Sequence, residues 1–387
     1  MSKKILGLVL EINPFHTGHK YFIDKAIEII KPDYVIAIVS PSFSMRGDVS
    51  IMDKFTKTEL LLDNNIDLVL ELPFIGCNAS SDYFAINAIK ALSKFNITHF
   101  ACGGECDDIN ILNDLSDITN SQEFNNYVNK YLQLGCSYSL SNNKALLEYT
   151  NNLDYINNFS LPNNRLAISY INSFKKLNIN PNITIIKRNN NNYYDEKLGN
   201  TFSSATSLRK EINSNWKNAQ KFLIDKNYNY INSDEFLNKI FLIIKERFII
   251  FGAPYMENIL GISEGIENRI QASINKAKNY NELIELSITK RYPENKIKRI
   301  LLNILFDVKK NDFKNNEIDY LRILGFNEKG NKLIKTLDKN IKNEIITSLK
   351  NTNNPISILE LKVTKLYGLL INNDELYLKE FQVPIKK

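Results

Sequence analysis

Cysteine, histidine and long apolar runs are all scarce in this 387-residue chain. Its four cysteines, Cys77, Cys102, Cys106 and Cys136, are too few and too scattered for a disulfide framework, which fits a reducing compartment. Cys102 and Cys106 have only His99 close by, short of the four ligands a structural zinc site wants, so burial of small thiols is the expectation. No stretch reaches the ~18 apolar residues that would suggest a bilayer span. The first apolar run ends at Glu11, too short for a signal-peptide core and with no small-residue cleavage site after it. A cytoplasmic, soluble protein with no membrane partner is therefore expected. Charge of one sign is lacking too. Lys+Arg is 49 against Asp+Glu 43, a formal +6, which permits an acidic partner such as RNA without requiring one. Neither an HExxH zinc helix nor a GxxxxGK[ST] phosphate loop occurs.

What is present is an α/β pattern. With 43% hydrophobic residues the chain has enough apolar surface for about two domains. Ile5 to Leu10 (ILGLVL) and Tyr34 to Val39 (YVIAIV) are continuous apolar runs of strand length, the signature of strands covered on both faces. Asp67 to Leu72 and Thr98 to Cys102 predict two more, and Ile183 to Lys187 another. Helical spacing of Tyr21, Phe22, Ala26, Ile27 and Ile30 lies between the first two, and Tyr83 to Phe95 reads as a further helix. Strands alternating with helices at this spacing predict a parallel sheet. Residues 107–160 read as polar, mostly helical or loop, and Leu166 to Leu177 as a helix. Asn189 to Asn192 is four consecutive asparagines, read as an exposed loop. Beyond about residue 210 no strong strand run is seen until the end, and Phe236 to Ile250, Ile266 to Ala277, Asn295 to Phe306 and Asn340 to Leu349 read as helices. The expected division is an α/β domain over 1–210 and a mostly helical domain over 211–387.

Chemistry concentrates at one turn. Asn13-Pro14-Phe15-His16-Thr17-Gly18-His19 joins the first strand to the first helix, placing two of the three histidines three residues apart. Ligands of parallel sheets sit at strand carboxyl ends, helix N-termini favour phosphate, and imidazoles can donate hydrogen bonds to its oxygens. This suits attack on an α-phosphate with pyrophosphate leaving, where the protein's main task is to stabilise charge. A helix-capping or packing role for His16 and His19 is the structural alternative.

On these residues the segment GLVLEINPFHTGHKYFIDKA resembles the opening of the HIGH-type nucleotidyltransferase superfamily, and more narrowly the bacterial tRNA(Met) cytidine acetate ligase family. Blocks in order along nearly the whole chain support the narrower resemblance. They include SPSFSMRGDV at 40–49, DLVLELPF at 67–74, Gly103-Gly104-Glu105, PNNRLA at 162–167, IIKR at 185–188 and SSATSLR at 203–209, then Ser263 to Asn268, Thr289 to Tyr292 and Leu321 to Phe326. The chain departs from the family's pattern in the second block, where Pro41, Ser42 and Met45 replace a usual Gly, Asn and Gln. Proline removes an amide donor there.

The resemblance implies a Rossmann-like parallel sheet, a helical C-terminal domain, and a two-step ligase. Acetate would attack ATP to give acetyl-adenylate, and the exocyclic amine of the wobble cytidine of elongator tRNA(Met) would take the acetyl group, leaving N4-acetylcytidine. The implied catalytic residues are His16 and His19. The implied ATP site covers Gly7, Leu8, Val9, Leu10, Glu11, Ile12, Asn13, Pro14, Phe15, His16, Thr17, Gly18, His19 and Lys20, with Gly103, Asn163 and Arg188 closing around the nucleotide. Gly7 would permit close approach of the adenosine, Asn163 could offer both a donor and an acceptor, and Arg188 could hold a phosphate with a planar fork. Asn163 could equally serve as a helix N-cap. Ser204, Thr206 and Arg209 are further candidate phosphate contacts at a helix start near Ala205. Mg2+ is expected to arrive with ATP, with no metal ligands from protein side chains. For RNA, the densest basic cluster is Lys290, Arg291, Lys298 and Arg299, with Tyr292 as a possible base-stacking ring. Two other readings stay open: an HxGH adenylyltransferase acting on a small molecule, and a non-catalytic RNA-binding relative. The oligomeric state is not legible.

Overall fold

A computed structural model describes residues 3–188, 205–312 and 318–387. The apolar runs fold as β1 (Ile5–Leu10) and β2 (Tyr34–Val39), followed by β3 (Leu68–Glu71), β4 (His99–Gly104) and β5 (Asn182–Lys187). These five are mutually parallel in the order β5-β4-β1-β2-β3. Between β1 and β2 runs α1 (Thr17–Ile30). It buries Ile23, Ala26 and Ile30, and stops at Lys31, which adopts φ 51° just before Pro32. The two faces of the sheet carry separate cores, one around Leu6, Leu8, Ile23 and Ala37, the other around Ile36, Ile38, Phe100 and Phe174.

The polar stretch 107–160 is four successive helices, each opened by Ser, Asp or Asn as side-chain cap: Ile109–Asn120, Gln122–Gln133, Tyr138–Thr150 and Leu153–Ser160. The next helix is Pro162–Lys176. The asparagine run 189–192 lies outside the described residues.

Beyond residue 210 the expected helices form, at Ser233–Met256, Ile266–Lys276 and Glu294–Phe306. Two expectations there are corrected. Leu321–Phe326 is a strand, β6, paired antiparallel with β3, where no strong strand was anticipated. Its glycine and arginine broke the apolar pattern, and tertiary pairing supplied what the pattern lacked. The helix expected over 340–349 is only Lys339–Glu344, followed by the two-residue strand β7 (Ile345–Ile346) on β6. The terminal strand β8 (Ile385–Lys386) also pairs with β6.

Two features join the halves of the chain. Phe43 and Phe74 from the first half sit among helical-half side chains, with Phe43 edge-on to Phe306 at 5.7 Å and to Tyr367 at 6.4 Å between centroids. Beside them is a fully buried charge cluster. Lys54, from α2 (Lys54–Leu62), contacts Glu71, Glu360 at 3.1 Å and Glu380 at 2.5 Å, and Arg322 reaches Glu380 at 3.3 Å. Three carboxylates this close could hold a metal ion, but the Lys54 ammonium lies among them. Burial pushes the Glu71 carboxyl up to about 7, against the pull of Lys54, and the three carboxylates outweigh burial to raise the Lys54 ammonium. Among the described residues no helix is long and apolar enough to cross a membrane.

Candidate functional site

The strand order reverses direction at β1, which has β4 on one side and β2 on the other, and ligands in open parallel sheets bind at such a point. A cavity of about 230 Å³ opens there, at the carboxyl ends of β1, β4 and β5. The ATP-site residues implied by the resemblance divide at this cavity. Val9, Leu10, Glu11, Ile12, Asn13, His16, Gly18 and His19 line it, and so do Gly103, Asn163, Arg188 and Arg209. Gly7, Leu8, Pro14, Phe15, Thr17, Lys20 and Thr206 do not. Leu8 and Phe15 are wholly buried in the core, and the half-exposed Lys20 pairs with Asp24 at 3.0 Å. The close-approach role for Gly7 is not what the geometry shows. A Cβ there would meet Ile97 at 3.0 Å and Leu92 at 3.3 Å, so its smallness serves packing. Ser204 lies outside the described residues.

The turn itself is tightly made. Ile12 has φ 46°, a strained conformation for a β-branched residue and one that tends to mark functional sites. Asn13 is buried and clamps the neighbouring loop, donating to the Val49 carbonyl at 2.9 Å and accepting from the Ile51 amide at 2.9 Å. Its side chain is thus committed to structure. His16 is the N-cap of α1, and its Nδ1 accepts from the Gly18 amide at 3.0 Å. One ring can thus cap the helix and still face the cavity, since Nδ1 takes the cap and Nε2 makes no hydrogen bond among the described residues. His19 stacks obliquely on it, with centroids 4.0 Å apart.

The start of α1, favourable to phosphate on sequence grounds, has its amides occupied. Thr17 N donates to Phe222 O at 2.8 Å, Gly18 N to His16, and His19 and Lys20 N to His16 O. All four amides of the first turn of α1 already have partners, so at this turn side chains are the donors left for an anion. Those lining the cavity are the two imidazoles, Arg46, Lys187, Arg188 and Arg209. Burial, then the neighbouring ring, Arg188 and Arg209, hold His16 well below the ordinary histidine value. Burial, then Arg188 and Lys57, lower His19 to about 3. Both rings are neutral at pH 7, and each presents a single N–H. His19 Nδ1 is buried and makes no hydrogen bond among the described residues.

Across the cavity, Arg188 donates from Nη1 to Asn163 Oδ1 at 3.2 Å, and Asn163 Nδ2 donates to Glu105 at 2.6 Å. Asn163 is not an N-cap, since Leu161 is the cap and Asn163 sits in the first turn. The Glu105 carboxylate instead caps this helix, accepting from Asn164 N at 2.9 Å. Asn164 Oδ1 in turn accepts the Glu105 and Cys106 amides, at 2.9 and 3.0 Å. This interlock sets the loop after β4. Arg209, one turn into the Ala205–Ser214 helix, donates to Asn13 O at 2.9 Å and to Thr206 Oγ1 at 3.3 Å.

Sequence reasoning missed three groups beside the cavity. Lys57 is fully buried and donates to the carbonyls of Glu11 at 3.3 Å, Ser40 at 3.0 Å and Pro41 at 2.9 Å. Burial lowers it to about 8 despite nearby Cys77 and Glu11. Pro41, which cannot donate an amide, serves here through its carbonyl. A lysine at a core-facing helical position, three after Lys54, was the readable signal. Segment 222–224 braces the histidine turn, with Ile224 N donating to Phe15 O at 3.1 Å. Asp48 is the third, bonded to Lys298 at 2.9 Å.

The basic cluster separates. Lys290 is exposed, and Arg291 is exposed and pairs with Glu264 at 3.2 Å. Lys298 is held by Asp48 and by Glu294 at 2.7 Å, and Arg299 donates to Met45 O at 3.2 Å. Tyr292 is buried, with its hydroxyl bonded at Ser263, and so presents no free stacking face.

The chain matches a family model described as HIGH Nucleotidyl Transferase over residues 3–381. It is 35% identical to the tRNA(Met) cytidine acetate ligase of Clostridium perfringens, covering 96% of this chain and 98% of that one. It is 32% identical to the protein of the same name from Thermoanaerobacter pseudethanolicus, covering 99% of each. The crystal structure of Thermotoga maritima TmcAL in its apo form superposes with a TM-score of 0.89 at 27% identity, over 99% of both chains. A second structure of that protein, bound with alpha-thio ATP, gives 0.86.

Proposed function

We propose that this chain, which belongs to the HIGH nucleotidyl transferase family and within it to the tRNA(Met) cytidine acetate ligases, is an ATP-dependent ligase that acetylates tRNA. The observation that carries the reading is one cavity where two neutral imidazoles and the guanidinium groups of Arg46, Arg188 and Arg209 converge at the carboxyl ends of β1, β4 and β5. In the first step an acetate oxygen bonds to the α-phosphorus of ATP and the bond to the β-phosphate oxygen breaks, giving acetyl-adenylate and pyrophosphate. His16 Nε2 and a His19 N–H donate to phosphate oxygens as charge builds there, with Arg188 and Arg209 as planar forks. Neutral rings serve better as fixed donors than as acids, since pyrophosphate leaves without needing a proton. In the second step the exocyclic amine of the wobble cytidine of elongator tRNA(Met) attacks the acetyl carbon, AMP leaves, and the amine loses a proton to give N4-acetylcytidine.

Mg2+ carried on the phosphates would neutralise charge on the leaving group. Glu11 accepts the Met45 amide at 2.6 Å and Asp48 is bound by Lys298, so both cavity carboxylates have other partners and the ion would ride on ATP. Residues 1–210 are proposed to hold the nucleotide and residues 211–387 to meet the tRNA, with Lys290 and Arg291 as exposed phosphate contacts. ATP and tRNA place this activity in the cytoplasm. The test is mass analysis of nucleosides from tRNA(Met) incubated with the protein, ATP and acetate. Acetylcytidine that depends on both small substrates is expected. Acetate-independent pyrophosphate exchange would favour a small-molecule adenylyltransferase, and no exchange at all a non-catalytic relative.

A further inference from the structure

Asp48 lies between two cations from opposite halves of the chain. Its Oδ2 faces Arg209 Nη2 at 3.5 Å, and its Oδ1 faces Lys298 Nζ at 2.9 Å. Arg209 lines the nucleotide cavity; Lys298, on the Glu294–Phe306 helix, does not. All three side chains are mostly buried, between 16% and 22% exposed, so the pairs are poorly screened. Burial works against charge on Asp48, but Lys298 and Arg209 outweigh it and hold its carboxyl below the usual range.

The turn that carries Asp48 is fastened at both ends. Met45 N donates to Glu11 at the end of β1, and Met45 O accepts from Arg299 at 3.2 Å. Gly47 has φ 80°, and a Cβ on it would meet Lys298 Cβ at 2.8 Å and the Arg299 amide nitrogen at 3.0 Å. Only glycine fits this contact between turn and helix. The turn is therefore seated on the helix carrying Lys298, while its carboxylate reaches the cavity arginine.

We infer that Asp48 and Lys298 are positioning residues for the nucleotide site: the Lys298–Asp48–Arg209 chain lets the helical half set how Arg209 meets the phosphates. The inference rests on the ATP reading of the cavity. Asn13 O, Thr206 and Asp48 orient the guanidinium, which has five N–H donors and so retains capacity for a phosphate. Without Lys298, Asp48 loses its closest cation among the described residues, leans more on Arg209 and the nearby Arg46 to satisfy its charge, and competes with the nucleotide for Arg209. The same residue read from sequence as an RNA contact thus acts through the ATP site.

The test is the dissociation constant for ATP, by calorimetry on the full-length protein without tRNA. Lys298→Gln is expected to weaken ATP about fivefold to tenfold, the size of effect that residues remote from a ligand commonly exert. Lys298→Arg should restore binding. Asp48→Asn should weaken it also, and the double variant should be no weaker than the worse single one, because both changes cut the same chain. In turnover, Lys298→Gln should raise KM for ATP more than it lowers kcat. Wild-type ATP affinity in Lys298→Gln, with tRNA affinity lost instead, would overturn the relay and return Lys298 to the RNA surface. Additive losses would overturn it too. Failure of the wild-type protein to bind ATP would instead sink the reading of the cavity.

Discussion

His16 shows how one side chain can cap a helix and still face the cavity. Nδ1 finishes the helix cap, which fixes the tautomer and leaves Nε2–H as the donor. His19 takes no part in the helix cap, so the phosphate role proposed for it is the easier to isolate. His19→Ala is expected to lower adenylate formation by about 10²- to 10³-fold, as loss of one oxyanion donor does elsewhere, while leaving tRNA affinity nearly intact. Acetate-dependent pyrophosphate exchange checks the first part and filter binding the second. The same rings predict a pH dependence of stability. An unfolded histidine takes a proton near pH 6.5, whereas His19 in the fold stays neutral down to about 3. Across that window the unfolded chain binds more protons, so the contribution is fully present above pH 6.5 and is lost as pH falls toward 3. Urea midpoints should fall from pH 7 to pH 5, and less steeply in His19→Gln.

The β4 loop and the helix after it form one interlocked element. Gly104 admits no side chain, since a Cβ would lie 2.7 Å from Ile185 and 2.8 Å from the Cys106 carbonyl. Asn164 satisfies two amides of the loop and Glu105 caps the helix in return. Asn164→Ala strands those amides and is expected to cost about 1–3 kcal/mol, and ATP affinity should drop because Asn163 and Arg188 hang on the same loop. Chemical denaturation and nucleotide titration would show both losses together. Lys57 plays the matching part on the other side, tying α2 to the carbonyl ends of β1 and β2.

For the molecule as a whole, the halves are joined by β6 in the sheet and by the buried cluster of Lys54, Arg322, Glu71, Glu360 and Glu380. Glu360 also accepts the Phe74 amide at 2.7 Å, and Glu380 the Thr364 hydroxyl at 2.5 Å. Removing the one ammonium leaves three carboxylates facing each other. Lys54→Met is therefore expected to destabilise the fold by about 3–5 kcal/mol, read as a lower denaturant midpoint. If the stability were unchanged, the cluster would not be what holds the halves together.

The parallel strands and the histidine turn could be read along the chain because their causes are local: apolar runs bounded by breakers, and a strand-to-helix junction carrying unusual residues. Asn13 to His19 declared a site for that reason. Leu321–Phe326 escaped because its strand character comes from β3, far away in sequence. Lys298 and Arg299 could be seen as basic but not as paired, since Asp48 and Met45 lie some 250 residues distant. A helix start favours phosphate on sequence grounds, and only the approach of segment 222–224 shows the Thr17 amide to be taken. Periodicity and turn chemistry are short-range and survive in a linear string of residues. Which charges neutralise one another, and which donors remain for a ligand, depends on distances that exist only once the chain has closed on itself.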